Sequence, residues 1–343
     1  AVECTDVPDE TYHDGKLTGM AIELMDSLSK NQKPFFLAVG FLKPHLPFIA
    51  PKKYWDLYDR DKFKLAEFQN KVPNTPDYAY QGGGELKNYA EVPDFDSYSE
   101  NEKEHLSVAQ QKELIHGYYA ATSYTDAQVL QLLNELDRLG IRENTIVVLW
   151  GDHGWHLGDH GLWGKHTNFE QANRSPLIMS IPGNKTKIDA TTQCEFVDVF
   201  PTLCELTGTT TPNWLDGISL VPAVKTPDSE LREYALSQYP KSNGKMGYSI
   251  RTKRFRYTEW LDNNYTTNLP YDKKYIVARE MYDYQNDYLE TENIVDNPKF
   301  RKEQAELEKQ FLECMKREFK SCSAYSKIAD FRVPLNGKIK HED

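Results

Sequence analysis

Long apolar runs are missing from this 343-residue sequence. A membrane-spanning helix needs roughly 20 consecutive apolar residues, and no stretch approaches that, so the sequence offers no membrane span. An excess of basic residues is missing too. Forty-one Lys and Arg stand against 52 Asp and Glu, a net charge of −11. That balance excludes a general polyanion-binding surface, nucleic acid included, and an anionic substrate would need a local basic pocket. There is no signal-peptide pattern and no initiator Met. Ala1 opens a polar, turn-rich segment, which leads us to expect a cut or processed N-terminus. Cysteine is scarce and odd in number: Cys4, Cys194, Cys204, Cys314 and Cys322. Cys314 with Cys322 and Cys194 with Cys204 are candidate pairs that leave Cys4 over, for a partner upstream. Five buried thiols are the alternative. Internal repeats and low-complexity tracts are absent. Two glycosylation sequons, Asn184-Lys-Thr and Asn264-Tyr-Thr, matter only in a eukaryotic secretory source.

What is present centres on residues 145–169. Ile146 to Trp150 is a short apolar run rich in β-branched residues, which predicts a buried strand. It stops at Gly151, and Asp152, His153, His156, Asp159, His160, Lys165 and His166 follow within fifteen residues. Glycines at 151, 154, 158, 161 and 164 allow tight turns and close approach to a ligand. In open α/β sheets ligands bind beyond the carboxyl ends of strands. Asp152 offers a hard oxygen, His153 a ring nitrogen, and Lys165 a point positive charge suited to a tetrahedral oxyanion. Asp152 and His153 are neighbours, so both can face one ligand only from a loop.

The rest of the chain alternates helices and strands. Leu17 to Ser29 has a helical apolar stripe at 17, 20, 21, 24, 25 and 28. Phe35 to Phe41 predicts a second buried strand, with His45 in the Lys43-Pro-His-Leu-Pro47 loop beyond it. Residues 51–107 read as a partly ordered excursion over the site, where Tyr54, Trp55 and Tyr58 either line a cleft or pack. Gln110 to Leu139 predicts a long helix ended by Gly140. Pro176 to Ile181 predicts a strand, and Asp198 to Thr207 a helix ended by Gly208. The expected fold class is α/β, a mostly parallel sheet sandwiched by helices. From about Asp228 the texture changes. Strands at 234–238, 247–252 and 255–260, a short one near 281–284 and a helix at 300–319 predict a small antiparallel α+β subdomain. The expected division is 1–227 and 228–343.

Gly-Asp-His-Gly-Trp-His-Leu-Gly-Asp-His-Gly161 followed by Trp163-Gly-Lys165 resembles the second-half signature of type I sulfatases in the alkaline-phosphatase-like superfamily, and is most similar to the iduronate-2-sulfatases. Pro34 to Phe48, Tyr118 to Asp126, Val197 to Leu203 and Met246 to Thr252 extend the match in order. The resemblance implies hydrolysis of a sulfate ester on a sulfated uronic acid or related sugar of a polysaccharide. It implies a calcium ion and a formylglycine made from a Cys/Ser-x-Pro-x-Arg motif, a secreted, periplasmic or lysosomal location, and a match to the C-terminal two thirds only. The sequence has no such motif, nor an Asp-Asp pair placed as the first metal ligands. Those parts are expected on an N-terminal portion, either a separate chain after processing or absent.

Residue by residue, the resemblance implies that Asp152 and His153 lie at the metal, with His153 the less certain oxygen-site ligand. It implies that Lys165 contacts sulfate and that His45 is a candidate general acid. Trp155 and Asn168 would shape the sugar subsite, and Arg251 would reach a substrate carboxylate. His160 is read as structural, while His156 and His166 receive no role. Two further readings stand beside the hydrolase. One is a non-catalytic, sugar-binding sulfatase-like protein. The other is a metal-dependent phosphohydrolase of the same superfamily, using zinc or manganese at Asp152 and His153.

Overall fold

The computed structural model describes residues 1–31, 33–80, 83–184, 186–241, 244–263 and 271–328, with side chains in the last segment described to residue 317. The sequon at Asn264 lies outside these residues, as does the side chain of Cys322 with its expected pairing. The chain forms two compact units. The first holds Ala1–Val72 and Asp77–Asp189; the second holds Pro73–Pro76 and the residues from Ala190 on.

In the first unit, strand β1 (Val2–Thr5) pairs in parallel with β2 (Phe48–Pro51), Val2 opposite Phe48. Helix α1 (His13–Lys30) packs against the long helix α3 (Val108–Arg138). The short helix α2 (Lys52–Trp55) lies between them in sequence. A capping box starts α3: Ser107 Oγ accepts from the Gln110 N–H, and Gln110 Oε1 accepts from the Ser107 N–H. Gly140, at φ +68°, follows its last turn, a left-handed position that favours glycine. The core joins Leu46, Phe48, Leu86, Phe95, Leu106, Leu114, Ile115 and Trp163. Each large apolar side chain so buried contributes about 1.5–3 kcal/mol. Tyr54 and Trp55 are buried in a second cluster with Ala50, Ala120 and Tyr124, which makes them packing residues. The 51–107 excursion is therefore anchored by Leu86, Phe95 and Leu106.

Strand β3 (Val147–Trp150) pairs antiparallel with β6 (Leu177–Ser180), Trp150 opposite Leu177. Two-residue strands β4 (His156–Leu157) and β5 (Trp163–Gly164) form a small antiparallel ladder. Helix α4 (Glu170–Asn173) follows. Two sequence expectations fail here. Phe35 to Phe41 is not a strand but an irregular run with Phe36 80 % exposed. The physical reason is that no described segment supplies a ladder for it, and a lone extended segment cannot satisfy its backbone. On α1 the helix holds but the buried face is Asp14, Gly15, Thr18, Ala21 and Met25, while Met20 and Leu24 are exposed. Of the stripe, 21 and 25 are buried and 17 and 28 partly so, while 20 and 24 face water.

In the second unit, β7 (Tyr234–Pro240), β8 (Lys245–Thr252), β9 (Phe255–Asp262) and β10 (Ile276–Asp283) form an antiparallel sheet in the order β10-β9-β8-β7. Helix α7 (Arg301–Ile328) lays Leu307, Phe311, Cys314 and Met315 on Ile250, Tyr257 and Met281. Their i, i+4, i+7, i+8 spacing is the face a packed helix presents. Polar groups fill the same sheet. Arg256 Nε lies 3.1 Å from Glu290 Oε1, both fully buried. Tyr282 and Trp260 donate to Glu280, whose carboxyl is pushed up by burial. Helices α5 (Val199–Thr207) and α6 (Val221–Lys225) belong to this unit. Buried Asp198 ties them in, accepting from Ile218 N–H at 2.8 Å and from the Arg232 guanidinium, while Glu195 accepts from the Leu236 N–H on β7. These bonds put the break in contacts after Asp189, ahead of the texture change at 228. The Cys194–Cys204 pairing is corrected: both are unpaired thiols. Cys204 is buried on α5 while Cys194 is exposed ahead of that helix, and Cys4 is an exposed thiol as well.

Candidate functional site

His45 is fixed from three directions. The Asp14 carboxylate, buried at the start of α1, accepts the N–H groups of Leu42 (3.0 Å) and Lys43 (2.9 Å). Thr125 on α3 donates to the Lys43 carbonyl. The Lys43 ammonium turns back onto the loop, donating to the His45 (3.0 Å) and Pro47 (2.8 Å) carbonyls. Burial pulls Lys43 below the ordinary lysine range, against the opposing charge of Asp14. The peptide bonds before Pro44 and Pro47 are cis. His45 Nδ1 lies 2.7 Å from the Leu46 carbonyl. A carbonyl only accepts, so Nδ1 carries a proton and Nε2 is the ring position left to face the site.

Lys165 meets that position. It follows β5 directly, and its Nζ lies 2.7 Å from His45 Nε2 and 5.1 Å from the centre of the Trp155 ring. Trp155 also meets His45 and Phe48 edge to face, at 6.3 and 5.9 Å. Its Nε1–H is buried with no acceptor among the described residues. A fourth group was not read from the sequence. The Glu85 carboxylate spans both groups, Oε1 3.1 Å from His45 Nε2 and Oε2 3.2 Å from Lys165 Nζ. The signal that could have found it is the glycine run just before it, a turn inside the excursion.

Asp152 and His153 stand beside this cluster. Asp152 is fully exposed, 3.6 Å from His153 Nε2, and His153 Nδ1 donates to the Gly154 carbonyl at 2.8 Å. The rings of His153 and Trp155 lie 6.5 Å apart. Among the described residues no three His, Cys, Asp or Glu come together to hold a metal. Calcium takes 6–8 oxygens, so one carboxylate and one imidazole do not fit such an ion by themselves. Asn168 is buried, 6 % exposed. His160 sits at φ +56°, stacked on Phe169 with centroids 4.3 Å apart, and His156 is bonded to Thr167. These last three are built into the loop's interior. Gly154 shows how tightly: a Cβ there would stand 1.9 Å from the Gln171 carbonyl oxygen. Arg251 belongs to β8 of the second unit, where its guanidinium stacks 3.7 Å from the Tyr284 ring centre and donates to the Thr252 carbonyl.

Chemically, the first unit therefore presents a lysine ammonium, an imidazole nitrogen and an unmatched indole N–H. That set can take an oxyanion and move a proton.

Comparison with known proteins follows from this geometry. The family model described as Sulfatase matches residues 2–209, and the model for the N-sulphoglucosamine sulphohydrolase C-terminal region matches residues 158–317. Human iduronate 2-sulfatase is 30 % identical, over 86 % of this chain and 64 % of that protein. Choline-sulfatase of Rhizobium meliloti is 28 % identical, over 88 % and 55 %. The chain thus spans less than two thirds of these curated relatives. Among solved structures, one in complex with its substrate D-glucosamine-2-N,6-O-disulfate superposes with a TM-score of 0.70 at 21 % identity, covering 90 % of this chain and 70 % of that one. A phosphonate monoester hydrolase from Silicibacter pomeroyi gives 0.68 at 22 %, covering 91 % and 61 %. At these identities the likeness is one of fold, the α/β class expected.

Proposed function

The chain belongs to the sulfatase family, and from that premise we propose that it furnishes part of the active site of a sulfuric ester hydrolase acting on a sulfated sugar of a polysaccharide. One observation carries the reading: Lys165 Nζ lies 2.7 Å from His45 Nε2, although 120 residues separate them. Lys165 takes a sulfuryl oxygen and offsets the charge that builds on it. His45, held by its Nδ1–H on the Leu46 carbonyl, aims Nε2 at the ester oxygen and, when doubly protonated, gives the leaving alkoxide the Nε2 proton and returns to the neutral ring. Trp155 lines the sugar subsite, and Asn168, buried in the same loop, shapes it from within. The name of the human relative makes a 2-O-sulfated uronic acid the first substrate to try.

Asp152 and His153 would supply two of the donors to a calcium ion completed by other ligands, and its charge would offset that of a sulfuryl group. The other donors and the formylglycine come from outside these 343 residues. The location is non-cytoplasmic, and the subdomain change read at 227/228 lies inside the second compact unit. Among the described residues no helix is long and apolar enough to cross a membrane.

The test is sulfate release from a 2-O-sulfated uronate disaccharide by the full-length protein. Lys165→Ala should lower kcat/KM by about 10²–10³. Binding of the sugar with no sulfate released would instead mark a non-catalytic sugar-binding protein.

A further inference from the structure

Glu85 is placed where a substrate anion would have to go. Its two oxygens engage the two groups assigned to the reaction, His45 Nε2 and Lys165 Nζ, at 3.1 and 3.2 Å. The span between carboxylate oxygens is close to that between two oxygens of a sulfate. The Lys165 side chain is 13 % exposed, and a charge on a side chain so enclosed favours a nearby counter-ion. Glu85 supplies one from a local structure that separates anchor from freedom. Leu86, the next residue, is locked in the core at 2 % exposed. On the other side Gly83 sits at φ +66°, and the space around Gly84 is open. The Glu85 side chain is a quarter exposed, so it can rotate toward solvent while its backbone stays put.

We propose that Glu85 is a resident stand-in for the sulfuryl group and a specificity-determining residue. An incoming ester binds by displacing the carboxylate from Lys165 and His45. Ligands able to replace both contacts are admitted, and weaker anions are turned away. The idea rests on the reading that Lys165 receives the sulfuryl group. It goes beyond that reading in assigning the protein's own competitor for the site.

Inorganic sulfate at constant ionic strength, followed by tryptophan fluorescence in the full-length protein, tests it, because Trp155 adjoins Lys165. Glu85→Gln should bind sulfate about five- to tenfold more tightly than the wild type, since a competing charge is gone and the shape is kept. Glu85→Ala, the second variant, should tighten binding as well. Unchanged or weaker binding in both variants overturns the proposal. Lys165→Ala separates the two levels. If it loses sulfate while the Glu85 variants match the wild type, the displacement idea fails and the assignment of Lys165 stands. If it binds sulfate as the wild type does, that assignment fails and the displacement idea goes with it.

Discussion

The two units handle their apolar strands in opposite ways. In the second unit every residue of β9 from Phe255 to Leu261 is buried, and α7 covers one face with Phe311, Cys314 and Met315 at 0 % exposure. In the first unit Trp150 on β3 and Ile178 on β6 are 52 % and 58 % exposed, and Phe36 is more so. Both units carry strands with large apolar side chains, four residues long in β3 and eight in β9. Apolar patterning thus states that a segment wants a partner, and it says nothing of whether the chain supplies one. The second unit pairs its runs with one another. The first pairs β3 with β6 and leaves a side chain of each half exposed.

That contrast can be broken or sharpened by substitution. The largest effect is expected from Glu290→Ala, which strands the buried Arg256 guanidinium and should destabilise the second unit by about 3–5 kcal/mol in urea unfolding. A loss under 1 kcal/mol would mean the interior is wetter than its burial suggests. Next comes Gly154→Ala in the first unit, whose new methyl would drive into the Gln171 carbonyl. Thermal unfolding should report a cost of about 1–3 kcal/mol; a silent change would erase the claim that the site loop is closely packed.

Smaller is the pH effect of Asp283. The Arg254 guanidinium, with help from Asn286, holds its carboxyl below the ordinary range. A carboxylate whose folded value is depressed stabilises the fold above the unfolded value of about 3.9, and that contribution fades as pH falls through the folded value. Asp283→Asn should therefore lose stability at pH 7, and the gap to wild type should close on acidification below about pH 4. A gap constant with pH would contradict it. The smallest effect is predicted for Phe36→Ser, within about 0.5 kcal/mol of wild type, because the ring is already in water. A larger loss would show that this face is covered in solution, and would dissolve the contrast between the units.

Much of the fold was legible because it is local. The glycine after α3 ends that helix in the sequence as in space, and the strand pair 247–252 and 255–260 became β8 and β9. Two things were not. Phe35 to Phe41 has the composition of a strand, but a ladder is a non-local property and cannot be read from one run. His45 and Lys165 stand out through their motifs and the fold brings them together, whereas Glu85 carries no motif, and only folding brings it onto them. Asp14 was equally invisible, an ordinary acidic residue near a helix start until its two backbone contacts are seen.

Asp14 also gives α1 a second meaning. Leu42 and Lys43 hang from its carboxylate, and His45 is set two residues further on. The helix is therefore the datum from which the imidazole is measured. A shift of α1 by one residue, about 1.5 Å along its axis, would carry the whole loop with it. Errors of that size at reacting atoms are costly. Tolerances in the seat of α1 against α3, far from any sugar, are in this sense tolerances of the chemistry.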